Sequence, residues 1–143
     1  MELTIEQALQ QGVAAHKDGK LQDAERLYRA ILHSQPTHPD ANHNLGVLAV
    51  SVKKADMALP LFKTALEANP KIEQFWLSYI DALIKENHNE VAKQVLEQAK
   101  KQGVAGKKLA QAHNNLGNTL KELGRLDEAE ASYNQAIALK PDL

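Results

Sequence analysis

Apolar residues return every three or four positions in "LTIEQALQQGVAAHKDG" and again in "LQDAERLYRAILHSQP", so each stretch predicts a helix with one buried face. Gly19, Lys53, Asn87 and Gly124 fall where such helices would reverse, and Pro36, Pro70 and Pro141 where a second helix would stop. The pattern is one of helical hairpins. Thr4 is the expected N-cap of the first helix, with Gln7 three residues on, and Asp40 can offer a carboxylate to the start of the third. Pro60 lies inside a predicted helix and withholds a donor from the carbonyl of Asp56, which predicts a bend or a short first turn there.

The hairpins recur. Ala24, Ala58, Ala92 and Ala129 are separated by 34, 34 and 37 residues, and each is followed after four residues by Tyr28, Phe62, Leu96 or Tyr133. Twelve residues upstream stand Gly12, Gly46, Ile80 and Gly117; twelve downstream stand Pro36, Pro70, Val104 and Pro141. The third unit departs at both its small position and its closing proline. Glycine in the first helix and alanine in the second are expected to let the two helix backbones of a hairpin approach closely. The three extra residues before the last unit fall in "KKQGVAGKKLAQ", where Gly103 and Gly106 permit a wider connection. Because a lone hairpin cannot bury its apolar face, neighbours must supply the core. The expected fold is all-α, a single domain over residues 1–143 with units of about 5–36, 39–70, 73–104 and 110–141 and an insertion near 103–109.

Composition narrows the function classes. Hydrophobic residues make up 43% of the chain and aromatic ones 4%, which suits helices better than an all-β design. Seventeen basic residues against eighteen acidic ones give a formal charge of −1, so no field gathers nucleic acid or an anionic membrane, and neither partner is expected. The absence of cysteine excludes disulfides and thiolate metal sites. "MELTIEQALQQ" lacks the form of a secretion signal and no run of 18 apolar residues occurs, so the cytoplasm is the expected location.

Candidate chemistry adds little catalysis. His33, His38 and His43 are spaced by five, which does not share a helix face, and prolines intervene; no metal is expected. "GVAGKK" lacks the glycine spacing, the terminal hydroxyl residue and the preceding strand of a phosphate loop. No serine has a persuasive histidine and acid beside it, so neither an enzyme nor a cofactor is expected. Trp76, with Phe75 and Tyr79, reads as core packing rather than a stacking platform.

A 34-residue helix–turn–helix unit with "NLG", a mid-unit alanine, a following aromatic and a closing proline resembles the tetratricopeptide repeat, over roughly residues 5 to 143. The resemblance implies a right-handed superhelix, an α-solenoid in which first helices line a concave groove and second helices form the convex back. More narrowly, "AHNNLGNTLKELGRLDEAEASYNQAIALKPDL" is similar to repeats of the O-linked N-acetylglucosamine transferase family and its bacterial relatives. There the asparagine before "LG" holds peptide backbone; here that position is Gln10, Asn44, Ser78 and Asn115, a partial ladder.

Helical geometry adds His43 beside Asn44, Gln74, Asp81 and Lys85 beside Ser78, and Gln111, Asn114, Asn118 and Lys121 beside Asn115. Amide side chains both donate and accept, which suits an extended peptide whatever its side chains. A further subtype that clamps chaperone C-termini begins with a lysine and an asparagine, where this chain has Leu9 and Val13, so that partner is not expected. The expected function is a non-catalytic module binding a protein or peptide segment in its groove. Two alternatives are the substrate-recruiting part of a larger glycosyltransferase-like enzyme and a self-assembling scaffold. Both arise because the sequence stops at "KPDL" with no polar helix to cover Tyr133, Ala136 and Ile137, which predicts further chain or a second copy over that end.

Overall fold

The computed structural model describes residues 2–139. Among these residues there are eight α-helices and no strand, and they fall into two compact units, Met1–Pro70 and Lys71–Leu143. The first unit holds α1 (Ile5–Lys17), α2 (Leu21–Ser34), α3 (Pro39–Ser51) and α4 (Ala55–Ala68); the second holds α5 (Glu73–Lys85), α6 (Asn89–Lys101), α7 (Gly106–Glu122) and α8 (Leu126–Leu139). Each unit is therefore two hairpins, and the all-α repeat expected from the sequence is the fold that forms.

The four reversals sit where expected and share one backbone solution. Gly19, Lys53, Asn87 and Gly124 all have positive φ, between 58° and 78°. Glycine reaches that region freely, whereas Lys53 and Asn87 adopt it against their side chains, so turn geometry overrides local preference twice. The second helices stop short of Pro36 and Pro70, as expected; Pro141 lies outside the described residues.

Both helix starts are as expected, and the second has in addition a cap that the sequence did not foretell. Thr4 and Gln7 form a reciprocal capping box, in which the Gln7 N–H donates to Thr4 Oγ1 at 3.1 Å and the Thr4 N–H to Gln7 Oε1 at 2.9 Å. The N-cap of α3 is His38. His38 Nδ1 accepts from the Ala41 N–H at 3.1 Å, Pro39 opens the helix, and Asp40 sits in the first turn, where its charge meets the positive helix end without a direct bond. Helix α4 runs unbroken through Pro60, and its first turn is tightened: the Met57 N–H reaches the Lys54 carbonyl at 3.0 Å while the Ala58 N–H stretches to it at 3.3 Å.

At the three hairpin glycines a larger side chain would strike the second helix. A Cβ built on Gly12, Gly46 or Gly117 would stand 2.6, 2.4 or 2.7 Å from a ring carbon of Tyr28, Phe62 or Tyr133. Glycine thus makes room for the aromatic one helical turn beyond the alanine. The third hairpin exchanges the volumes: Ile80 replaces glycine, Leu96 replaces the aromatic, and both are buried. Phe75 and Trp76 are core residues as expected. In the first unit Ala24, Tyr28, Leu45 and Leu48 form a cluster against which Leu9, Leu21, Leu32 and Leu61 pack.

Candidate functional site

In each hairpin the first helix carries one face away from its partner helix, and two such faces frame a cleft within each unit. In the second unit α5 and α7 enclose an open cleft of about 370 Å³. Its polar lining is Gln74, Ser78 and Asp81 from α5 with Lys108, Gln111 and Asn115 from α7, over an apolar floor of Leu77, Ile84 and Ala112. Gln74 Nε2 donates to Ser78 Oγ at 3.1 Å and Gln111 Nε2 to Asn115 Oδ1 at 3.0 Å, so each helix orders its own pair of polar groups one turn apart. Asp81 pairs with Lys85 at 3.1 Å on the same helix. Both amides keep further donors and acceptors beyond these bonds, and the flat, mostly neutral wall they form is chemically suited to main-chain N–H and C=O groups.

The structure thus brings Ser78, Asp81 and Asn115 together, with Lys85 attached through Asp81. It gives other roles to the rest of the predicted set. Asn118 Oδ1 accepts from the Tyr133 hydroxyl at 2.6 Å, which ties it to α8. Asn114, half-buried, is one residue off the line of Gln111 and Asn115, and Lys121 is exposed near the end of α7. Asn44 lines a separate cleft of about 330 Å³ in the first unit, between α1 and α3, with Val13, His16, Lys17, Tyr28 and Val47.

His43 is the clear departure. It is only 9% exposed, and its ring lies 5.4 Å from that of Phe62 at a tilt of 42°. Burial pushes its imidazole below the usual range, against the opposing influences of Asn44 and Asp40. A neutral imidazole packed on Phe62 is a core group and not an open groove ligand. His113 of α7 is buried likewise, and burial lowers it too.

Two residues escaped the sequence reading. Lys108, the cation of the second-unit cleft, stands in the first turn of α7, which has 17 residues where α1, α3 and α5 have 13 each. The insertion, where the glycines predict a wider connection, instead lengthens a helix and carries a charge into the cleft. Asn42 is buried, and its Nδ2 donates to the carbonyls of Pro36 at 3.0 Å and His38 at 2.9 Å, fastening the turn between hairpins. Among the described residues no three histidine, aspartate or glutamate side chains gather as metal ligands, and no helix is long and apolar enough to cross a membrane.

Comparison with known proteins bears on this arrangement. Two tetratricopeptide repeat models match the chain, one over residues 9–71 and one over residues 110–143, together more than half of its length. A search among curated proteins gives no match. Among solved structures, MamA from MSR-1 superposes with a TM-score of 0.80 at 23% identity, covering 97% of this chain and 78% of that one. MamA from AMB-1 gives 0.80 at 23%, covering 99% and 75%. The segment of MamA from Desulfovibrio magneticus RS-1 that runs from residue 41 to its end gives 0.77 at 19%, covering 96% and 76%. These likenesses are of fold, and none points to the O-linked N-acetylglucosamine transferases in particular. With its repeated glycine and aromatic pairs, its left-handed turns and these matches, the chain belongs to the tetratricopeptide repeat family.

Proposed function

We propose that the protein is a non-catalytic interaction module that holds an extended segment of a partner protein in the cleft between α5 and α7. One observation carries the reading: two intrahelical amide and hydroxyl pairs, Gln74 with Ser78 and Gln111 with Asn115, line one cleft over an apolar floor. Such a wall pairs with peptide main chain while the floor takes an apolar side chain. The partial asparagine ladder seen in the sequence fits the same mode. The test is a pull-down from the source organism's lysate with the wild type and with Gln111→Ala/Asn115→Ala, bound proteins being identified by mass spectrometry. Peptides tiled across any protein lost with the variant are then titrated by fluorescence polarisation. The variant is expected to bind them about tenfold or more weakly, a change of about 1.4 kcal/mol. Equal affinity, with helicity unchanged, sinks the assignment of this cleft.

A second reading has its own observation. Leu126 and Ile137 of α8 are 63% and 64% exposed, whereas Leu21 and Leu32, at the same repeat positions in α2, pack against the first unit's core. Self-association through α8 would cover them. Sedimentation velocity should then show a mass that rises with concentration for the wild type and not for Ile137→Glu. A monomer at every concentration rules this reading out.

A further inference from the structure

The register of the repeat allows the backs of the two units to be compared position by position. In the second unit, α6 and α8 flank α7, and charge straps the space between them. Arg125 pairs with Glu90 of α6 at 2.7 Å, and Glu128 of α8 with Lys93 of α6 at 3.0 Å; Arg125 also bonds Glu128 and Lys93 approaches Glu90 at 3.5 Å. What remains beneath is a cavity of about 190 Å³ whose lining includes Lys93, Glu97, His113 and Glu128.

In the first unit the four corresponding positions are Gln22, Glu25, Lys54 and Met57. Glu25 is engaged by Arg29 of its own helix at 2.8 Å, and among the described residues no ion pair crosses from α2 to α4. The strap is absent, and the space stays open. The slot measures about 490 Å³ and is mainly apolar, with Leu45 and Leu48 at its floor and Leu21, Leu61, Met57 and Pro60 along its sides. Met57 is 49% exposed and Val52, at one end, 41%. Apolar side chains left in water beside a concave apolar floor mark a surface that gains by being covered.

Length and charge identify the occupant. The α2 wall runs from Leu21 to Arg29, about 12 Å at 1.5 Å per residue, which is two helical turns. A helix presents apolar side chains at i, i+3 or i+4, and i+7 over that same distance. Lys54 lines the slot and has no ion pair among the described residues, whereas Arg125, its counterpart, takes a carboxylate from across the space. The missing group is an acid. We propose that the slot between α2 and α4 receives a two-turn amphipathic helix of a partner protein, its apolar stripe seated between the two helices and a carboxylate paired with Lys54. This surface is separate from the cleft between α5 and α7, so either assignment can fail alone.

The test copies the second unit's strap into the first. In the full-length chain, Gln22→Glu/Glu25→Lys/Met57→Glu restores the four-charge pattern with Lys54, and Lys54→Glu is the single-site variant should the triple variant lose helicity. A displayed library of helix-favouring peptides of about 16 residues, long enough to hold two turns with their flanks, is selected on the wild type. Recovered peptides are titrated against the wild type, both variants and Gln111→Ala/Asn115→Ala. Binders with an apolar i, i+3 or i+4, i+7 stripe and a flanking acid are expected, losing affinity about tenfold or more on the strapped variant and several-fold on Lys54→Glu, with no loss on the cleft variant. Binders that ignore the strap and the Lys54 change, binders without an acid, or no binders at all would overturn the proposal. So would a concentration-dependent dimer that the strap abolishes, since the occupant would then be a second copy.

Discussion

Gly46 and Phe62 show how narrowly one residue's volume is set. The Cβ of an alanine at position 46 would meet ring carbons at 2.4 and 2.7 Å, and the ring has little room to step aside because Phe62 is buried and lies tilted against His43. Gly46→Ala gains about 1 kcal/mol of helix propensity but loses about 1–3 kcal/mol to overpacking, so a net loss on the order of 1 kcal/mol is expected in urea unfolding. The third hairpin supplies the remedy: Ile80 tolerates its bulk because Leu96 replaces the ring. Gly46→Ala combined with Phe62→Leu should therefore cost less than the two single changes summed. Strict additivity would show that the ring is not what excludes the methyl group. The spacing marks Gly46 as a close-approach position but does not show that the ring one turn beyond Ala58 fills the gap. His43 was misplaced for a related reason. It is adjacent to Asn44, and a single residue rotates a helical side chain by about 100°, enough to carry it from an open face to the core.

At the scale of the element, what was legible followed from periodicity and what was not followed from context. Eight amphipathic segments, the turns at Lys53 and Asn87 and the Thr4 capping box all depend on local rules, and all are in the structure. The cap of α3 was not legible, because His38 is an uncommon N-cap and the nearby Asp40 is a common one. The extension of α7 was hidden by its composition: "GVAGKK" reads as a loop, and Gly106, with φ of 72°, does open the helix from a left-handed residue. Everything after it in that stretch is helical, so Lys108 reaches the cleft from a turn that the other first helices lack. Long-range charge is the least readable feature of all. Glu90 and Arg125 are 35 residues apart and meet only because two hairpins stack in register. Arg125 holds Glu128 at about 2, well below the usual carboxylate range, with help from Lys93. The strap is exposed, so solvent screens it, and its consequence is more geometric than energetic: it closes the back of one unit while its absence opens the back of the other.

At the scale of the whole molecule, two buried histidines are expected to shape the acid response. His43 in the first unit and His113 in the second both have imidazoles lowered by burial from the usual 6.5. The groups that act on His43 include Asn44 and Asp40, which favour the proton; those that act on His113 include Glu97, which favours it, and Lys100, which opposes it. The unfolded chain takes up these protons near pH 6.5 while the folded chain still refuses them, so their stabilising contribution is complete above that pH. It is lost as pH falls from about 6.5 toward the lower folded values. Glu128 responds separately, because its folded value of about 2 lies below the ordinary 4.5, placing its loss under pH 4.5 and weakening it by exposure. Unfolding midpoints in urea should therefore decline from pH 7 to 5, before carboxylates contribute. His43→Gln/His113→Gln is expected to flatten that decline and leave the steeper fall below pH 4.5 in place. Each single variant should remove only part of it, since each unit contains one of the two histidines. A decline that persists in the double variant would mean that the buried imidazoles accept protons in place, and that His43 sits on Phe62 by shape and not as a neutral group.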